Sequence, residues 1–145
     1  MSQPMPSLMP ISCVRQSDRP RLEEALESWG ADALALDGSN IVDEATFRSE
    51  IGSQWPIPVG LEPHNWSALK DCLHQMFIDR GATQVAIVWD SADTLVAADI
   101  QGFLSATALL ESLVSTLYRI DEIDLYVFLL GAGGGYRGLD DIDRD

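Results

Sequence analysis

Two uninterrupted apolar segments, residues 85–89 and 125–130, constrain the fold most strongly. Neither segment alternates apolar with polar side chains, so each predicts a strand that is covered on both faces. A third apolar run, residues 33–36, ends at the turn dipeptide Asp37-Gly38 and predicts another strand. Segments with helical periodicity separate the three runs. Strands that alternate with helices indicate an α/β fold, with a small parallel sheet joined by right-handed crossovers.

The length of 145 residues suits a single domain with appendages. Residues 1–17 predict a flexible leader, because prolines interrupt any periodicity there. Residues 18–30 predict an extra N-terminal helix, with Asp18 placed as its N-cap. The main domain is expected over residues 31–131. The glycine- and aspartate-rich residues 132–145 predict a flexible acidic tail.

A helix expected over residues 65–79 has two chemically different sides. Its apolar stripe consists of Leu69, Cys72, Leu73, Met76 and Phe77. Its polar side consists of Ser67, Lys70, Asp71, His74 and Gln75. The stripe favours a buried role for Cys72, as a small apolar side chain. A shorter helix capped by Asp43 is expected before this one, and a long helix over residues 98–119 after it.

The charge of the chain restricts its partners. It has 23 acidic and 9 basic residues, which gives a net charge of -14 and a pI near 4.2. Proteins that bind nucleic acid need clustered Lys and Arg to displace counterions, so we expect no nucleic-acid partner. Residues 31–131 alone contain 15 acidic and 4 basic side chains, so the charge belongs to the main domain. A basic protein is the expected partner; the alternative is that the acidity only keeps the protein soluble.

Cysteine content and hydropathy suggest the compartment. Cys13 and Cys72 are too far apart for a metal or redox motif, and no cofactor is predicted. The first ten residues contain three prolines and no Lys or Arg, unlike a signal peptide. Because no run of 18 apolar residues occurs, we expect no membrane association. The expectation is a cytoplasmic monomer.

Ser67, Asp71 and His74 invite interpretation as a catalytic triad. They follow one another at i, i+4 and i+7 along one helix face. A triad needs the histidine between the nucleophile and the acid, with an oxyanion hole beside them. Three residues rising along a single exposed face do not converge in that way. We therefore predict no catalytic role for these three residues.

Asp90, Asp93 and Asp99 offer a second catalytic alternative. They follow the strand at residues 85–89, at the sheet edge where α/β proteins commonly bind ligands. Together they would suit a small magnesium-dependent enzyme. Asp93 and Asp99 equally suit a turn position and a helix N-cap, and we favour this second interpretation.

The nonapeptide Asn65-Trp66-Ser67-Ala68-Leu69-Lys70-Asp71-Cys72-Leu73 resembles the signature of the barstar family, small inhibitors of bacterial secreted ribonucleases. The order of predicted elements is also similar from about residue 31 to residue 131. This resemblance implies a three-stranded parallel sheet packed against helices. It further implies that the signature helix and the loop before it enter the nuclease cleft. Asp71 would then lie where a substrate phosphate binds.

The chain departs from the family pattern at three places. Ser67 replaces the usual acid, and Lys70 stands where an aromatic residue is frequent. The loop before the signature is Leu61-Glu62-Pro63-His64, in which Glu62 is a candidate for the lost carboxylate. The second acidic contact is not identified, since Glu111 lies too early in its helix. These departures leave the identity of the target open.

The combined hypothesis is an immunity or antidote protein, with no catalytic residues and no enzymatic activity. It would bind and occlude, one to one, a basic extracellular-type ribonuclease or nuclease toxin. The predicted partner-binding residues are Leu61, Glu62, Asn65, Trp66, Ser67, Lys70, Asp71 and His74. The alternative is an adaptor that keeps the fold and binds another protein without inhibiting a nuclease. Salt dependence separates the two hypotheses, because only acid-driven association slows steeply as ionic strength rises.

Overall fold

The computed structural model describes residues 10–55, 57 and 65–139, which form four strands with one or two α-helices between successive strands. In chain order they are β1 (Ile11–Arg15), α1 (Arg19–Trp29), β2 (Asp32–Asp37), α2 (Glu44–Gln54), α3 (Trp66–Arg80), β3 (Gln84–Asp90), α4 (Asp93–Ala98), α5 (Ile100–Thr116) and β4 (Asp124–Gly131). A short 3-10 turn, Gln16–Asp18, precedes α1, and a π-helical turn, Leu117–Asp121, follows α5.

The sheet is entirely parallel, with the strand order β1-β4-β3-β2. The two apolar runs of the sequence form its central strands, where Ile87 is in register with Val127. Both side chains are fully buried. Coverage of the central strands on both faces explains why neither segment alternates apolar with polar residues.

The sheet has four strands, and the expected three-stranded sheet is therefore corrected. The additional strand, β1, lies inside residues 1–17, which were predicted to be a flexible leader. Ser12 and Val14 are buried in it while Ile11 and Cys13 are partly buried, so both of its faces are covered. A five-residue strand that contains Ser, Cys and Arg lacks the long apolar run by which β3 and β4 are recognised. Residues 1–9 lie outside the described part of the chain.

Helices cover the two faces of the sheet unequally. On one face, α2, α3 and α5 enclose the larger core, which includes Phe47, Trp89 and Leu113. On the other face, α1 packs Leu22 and Leu26 against side chains of β1, β3 and β4. The crossover from β1 to β2 runs in the direction opposite to the later crossovers, so right-handedness requires its helix on the opposite face. The extra N-terminal helix and α3 thus lie on opposite sides of the sheet.

The segment that follows β4 pairs with the edge of the sheet. The Arg137 amide donates to the Cys13 carbonyl, and the Arg15 amide donates to the Arg137 carbonyl. The Leu139 amide donates to the Asp18 carboxylate at 2.9 Å. The two bonds with Arg137 satisfy edge groups of β1 that would otherwise be unpaired, and the bond to Asp18 attaches the segment to the 3-10 turn. The predicted flexible tail is therefore wrong for the segment that ends at residue 139, and residues 140–145 lie outside the described part.

One continuous helical stretch, Ile100–Asp121, comprises α5 and the π-helical turn. It has 22 residues, and its most apolar 18-residue window has a mean hydropathy of 1.3, so by length and composition alone it could cross a membrane. Core helices of globular domains meet the same criteria, and this one buries Leu109, Leu110 and Leu113 in the larger core. The predicted long helix over residues 98–119 begins at Ile100 in the structure. Asp99 caps α5, and the separate short helix α4 ends before it, at Ala98.

Candidate functional site

Local sequence signals determine where α3 begins and ends. The Asn65 side chain accepts a hydrogen bond from the Ala68 amide at 2.8 Å, so it is the N-cap. Gly81 ends the helix in the left-handed conformation, with φ of 74°. The predicted apolar stripe is confirmed, and all five of its side chains are buried: Leu69, Cys72, Leu73, Met76 and Phe77. Burial raises the pKa of the Cys72 thiol, and the nearby Asp71 charge raises it further.

The opposite side of α3 is open to solvent. We call Ser67, Asp71, Gln75 and Ile78 its outer face, because all four are exposed and the last three follow Ser67 at successive helical turns. Asp71 has no hydrogen bond or ion pair to any residue that the structure describes. Its carboxylate is therefore free to accept hydrogen bonds from another molecule.

Trp66 attaches the start of α3 to α2. Its ring centroid lies 5.7 Å from that of Phe47, which is fully buried. The Arg48 guanidinium lies over the indole ring, 5.4 Å from its centroid. Trp66 is half-buried and contacts both of these side chains. The predicted contact residue thus also anchors the helix, since aromatic pairs and cation–π contacts both fix the ring.

His74 connects α3 to the end of the π-helical turn. Its Nε2 lies 2.6 Å from Asp121 Oδ2, and about a quarter of each side chain is exposed. The π-helical turn ends immediately afterwards, where Glu122 adopts a left-handed φ of 56°. Asp121 was not predicted as a site residue, although the structure places it beside α3. Glu111, the acid considered for a second contact, lies in the middle of α5 and is exposed.

The predicted site residues fall into three groups. Asn65, Ser67 and Asp71 are exposed along the open side of the helix. Trp66, Lys70 and His74 follow one another at four-residue spacing and are half-exposed. Leu61 and Glu62 lie outside the described residues. The structure thus brings six of the eight predicted residues onto α3 and its N-cap, in two adjacent rows.

The carboxyl edge of the sheet holds the three aspartates considered for magnesium. Asp90 accepts hydrogen bonds from the Gln16 side chain at 2.7 Å and from the Ser91 hydroxyl at 2.8 Å, and it forms an ion pair with Arg19. These donors occupy the Asp90 oxygens, and the positive charge of Arg19 compensates the charge of the carboxylate within the fold.

The other two aspartates of that edge bind backbone amides. The Asp93 carboxylate accepts from the Ala132 amide at 3.1 Å, and Asp99 accepts from the Gly102 amide at 3.0 Å as the N-cap of α5. The described residues contain no group of three or more His, Cys, Asp or Glu side chains placed to hold a metal ion. The N-cap interpretation of Asp99 is confirmed, and the three carboxylates do not converge.

Comparison with known proteins is informative for most of the chain. A family model described as Barstar (barnase inhibitor) matches residues 31–129. No curated protein gives a significant match. Among solved structures, a chain titled as the Aeropyrum pernix ORC1 protein in complex with DNA is similar over 91% of this chain. It shares 14% identity with a TM-score of 0.43, and this chain spans only 34% of its length, so that similarity supports no argument.

Proposed function

Because the chain belongs to the barstar family, we propose that it inhibits a basic ribonuclease or nuclease-type toxin by occluding the active site. The observation that carries this proposal is the Asp71 carboxylate, which is exposed on a capped helix and free of partners among the described residues. The surrounding domain has 15 acidic and 4 basic side chains between residues 31 and 131. A carboxylate in such a field can take the position of a substrate phosphate.

The supports of α3 favour a surface that is already in its binding conformation. Asn65 caps the first turn, and Trp66 is held by contacts with Phe47 and Arg48. A helix fixed in this way loses little conformational freedom when it binds. The binding energy of Asp71 is then available for its contact with the nuclease.

Asp121 is a second candidate for the acidic contact. It is held beside α3 by His74, at 2.6 Å, and 22% of its side chain is exposed. The hydrogen bond fixes its direction, and the exposed part leaves an oxygen open to a cation of the partner. The proposed inhibitory surface then consists of the six predicted residues on α3 and its N-cap, Asp71 and Lys70 among them, together with Asp121.

The proposed role is protection of the cell that makes the nuclease. The chain would act in the cytoplasm, as a one-to-one partner of its target and without chemistry of its own. Cys13 and Cys72 do not suggest a thiol nucleophile, because burial raises the pKa of both thiols and a reactive cysteine needs a lowered pKa.

The first experiment measures nuclease inhibition directly. The purified chain is titrated into barnase acting on RNA, and it is also used as bait for proteins from the organism that encodes it. We expect complete inhibition at one equivalent, either of barnase or of a captured basic ribonuclease, with association that slows steeply between low and high salt. Failure to inhibit barnase, together with no captured protein whose RNA cleavage the chain blocks, would contradict the proposal.

A non-inhibitory adaptor is the second candidate, favoured by the exposed apolar side of α5. Ile100 and Leu104 are 50% and 52% exposed, and Tyr118, in the π-helical turn, is 65% exposed. An apolar surface of this kind suits docking onto another protein. Its binding would change little with ionic strength, and the same salt series therefore separates the adaptor from the inhibitor.

A further inference from the structure

Lys70 is the only lysine of the chain, and it lies in the proposed inhibitory surface. It is half-exposed and forms no ion pair with the residues that the structure describes. Trp66 lies one helical turn before it on the same side of α3, with Arg48 over the indole ring. Lys70 and Arg48 thus place two cations near the first turns of α3, in a protein whose net charge is -14.

We propose that Lys70 binds a carboxylate of the partner, in the same cleft whose cations bind Asp71. This inference rests on the proposed function and adds the chemistry of the partner: an RNA-cleaving site that contains an acidic side chain. Lys70 is the primary contact, and Arg48 contributes to the positive potential from the neighbouring helix.

The chemistry of RNA cleavage supports this assignment. Such a site needs cations that hold phosphate and a general acid–base group, for which an Asp or Glu carboxylate is one of the usual choices. An inhibitor that offered only acids would enclose that carboxylate next to like charges, and burying an unpaired charge is costly. Lys70 adjoins Asp71 in sequence but lies about 100° further round the helix. The two charges can therefore meet different groups in one cleft.

Charge reversal at Lys70 tests the proposal, because a uniformly basic partner surface and one with a carboxylate opposite Lys70 predict changes of affinity in opposite directions. The ligand is barnase, or the captured ribonuclease if barnase does not bind, and rates are measured by stopped flow at low and high salt. If the contacted surface were uniformly basic, Lys70→Glu would strengthen binding. With a carboxylate opposite Lys70, we expect affinity to fall at least about tenfold, mainly through faster dissociation.

Two further variants isolate the local contact. Arg15→Glu makes the same change of charge at the exposed end of β1, in the edge strand farthest from β2, and we expect unchanged or slightly faster association. Lys70→Arg keeps the positive charge and should retain affinity within about threefold.

Equal or tighter binding by Lys70→Glu, with the wild-type chain still inhibiting, would overturn the inference and leave the inhibitor function standing. Absence of binding by the wild-type chain to either nuclease would instead contradict the proposed function itself. Loss of affinity in Arg15→Glu to the same extent as in Lys70→Glu would also overturn the inference, since the effect would not be local.

Discussion

Asp90 and Asp71 are acids of the same domain, but only the Asp90 carboxylate has polar partners among the described residues. Asp90, at the carboxyl end of β3, is contacted by Gln16, Arg19 and Ser91. Asp71, on the outer face of α3, contacts no polar partner among the described residues. The first carboxylate joins the N-terminal segment to the sheet, whereas the second contributes nothing visible to the fold.

This difference teaches how structural and functional charge can be separated in a very acidic protein. A carboxylate whose hydrogen bonds are satisfied within the chain contributes to folding and is poorly available to a ligand. A carboxylate held on a rigid element without internal partners costs the fold little and retains its full capacity for binding. The aspartates at the carboxyl edge of the sheet belong to the first class, and Asp71 belongs to the second.

The largest effect that this comparison predicts is the loss of inhibition in Asp71→Ala. Truncating one member of a buried, hydrogen-bonded charge pair in an interface costs about 2–5 kcal/mol of binding free energy. We expect a loss in that range, measured by titration calorimetry or by inhibition of RNA cleavage. The thermal midpoint should change little, because Asp71 has no internal partner to lose.

Asp79→Ala is the matched control for Asp71→Ala. It removes the same charge from the same helix, at an exposed residue whose bond to the Gln75 side chain is also exposed. We expect only a small decrease in association rate, from the weaker overall field. If Asp79→Ala reduced affinity as much as Asp71→Ala, the inhibition would depend on net charge and not on the placement of Asp71.

The reverse pattern is expected for Asp90→Ala. Its removal takes the carboxylate partner from Gln16 and one of two from Arg19, which keeps its ion pair with Glu23 at 2.8 Å. The net loss should therefore be close to that of one hydrogen bond to a charged group, about 1.5–3 kcal/mol. We expect a loss of about 1.5–3 kcal/mol in the free energy of unfolding, measured by urea denaturation. Inhibition by the folded protein should be unchanged, and a selective loss of inhibition would remove the distinction between the two acids.

The strands and caps that depend on neighbouring residues could be predicted from the sequence. Each of these signals is contained in a few consecutive residues: the apolar runs of β3 and β4, the N-cap at Asn65 and the C-cap at Gly81. The same is true of Asp43 and Thr46, which form the predicted cap of α2. The family match over residues 31–129 extends this local success to the fold class.

The features that were missed depend on contacts between distant segments. The strand β1 is stabilised by β4 and by the backbone of Arg137, which lies more than a hundred residues away. Arg19 and Asp90, which pair at the sheet edge, are 71 residues apart. Asp121, which contacts His74, ends a π-helical turn, and apolar periodicity does not encode such a turn.

The smallest predicted effect is a pH dependence of stability that comes from Asp43, the cap of α2. The pKa of Asp43 lies below its ordinary value because the carboxylate accepts hydrogen bonds from the Thr46 amide and the Thr46 hydroxyl. A lowered pKa in the folded state means that the stabilisation is present above the unfolded pKa of about 3.9. It is lost as the pH falls through the lower folded value.

Asp43→Asn preserves the capping oxygen but cannot titrate. We therefore expect the thermal midpoint of the wild-type chain to decline more steeply than that of the variant as the pH falls below about 4. The measurement is a series of thermal unfolding curves from pH 6 to pH 2.5, and Asp37 provides an internal reference because its lowered pKa is present in both proteins. Parallel curves would contradict the prediction, because they would show that the charge of Asp43 contributes nothing beyond its capping hydrogen bond.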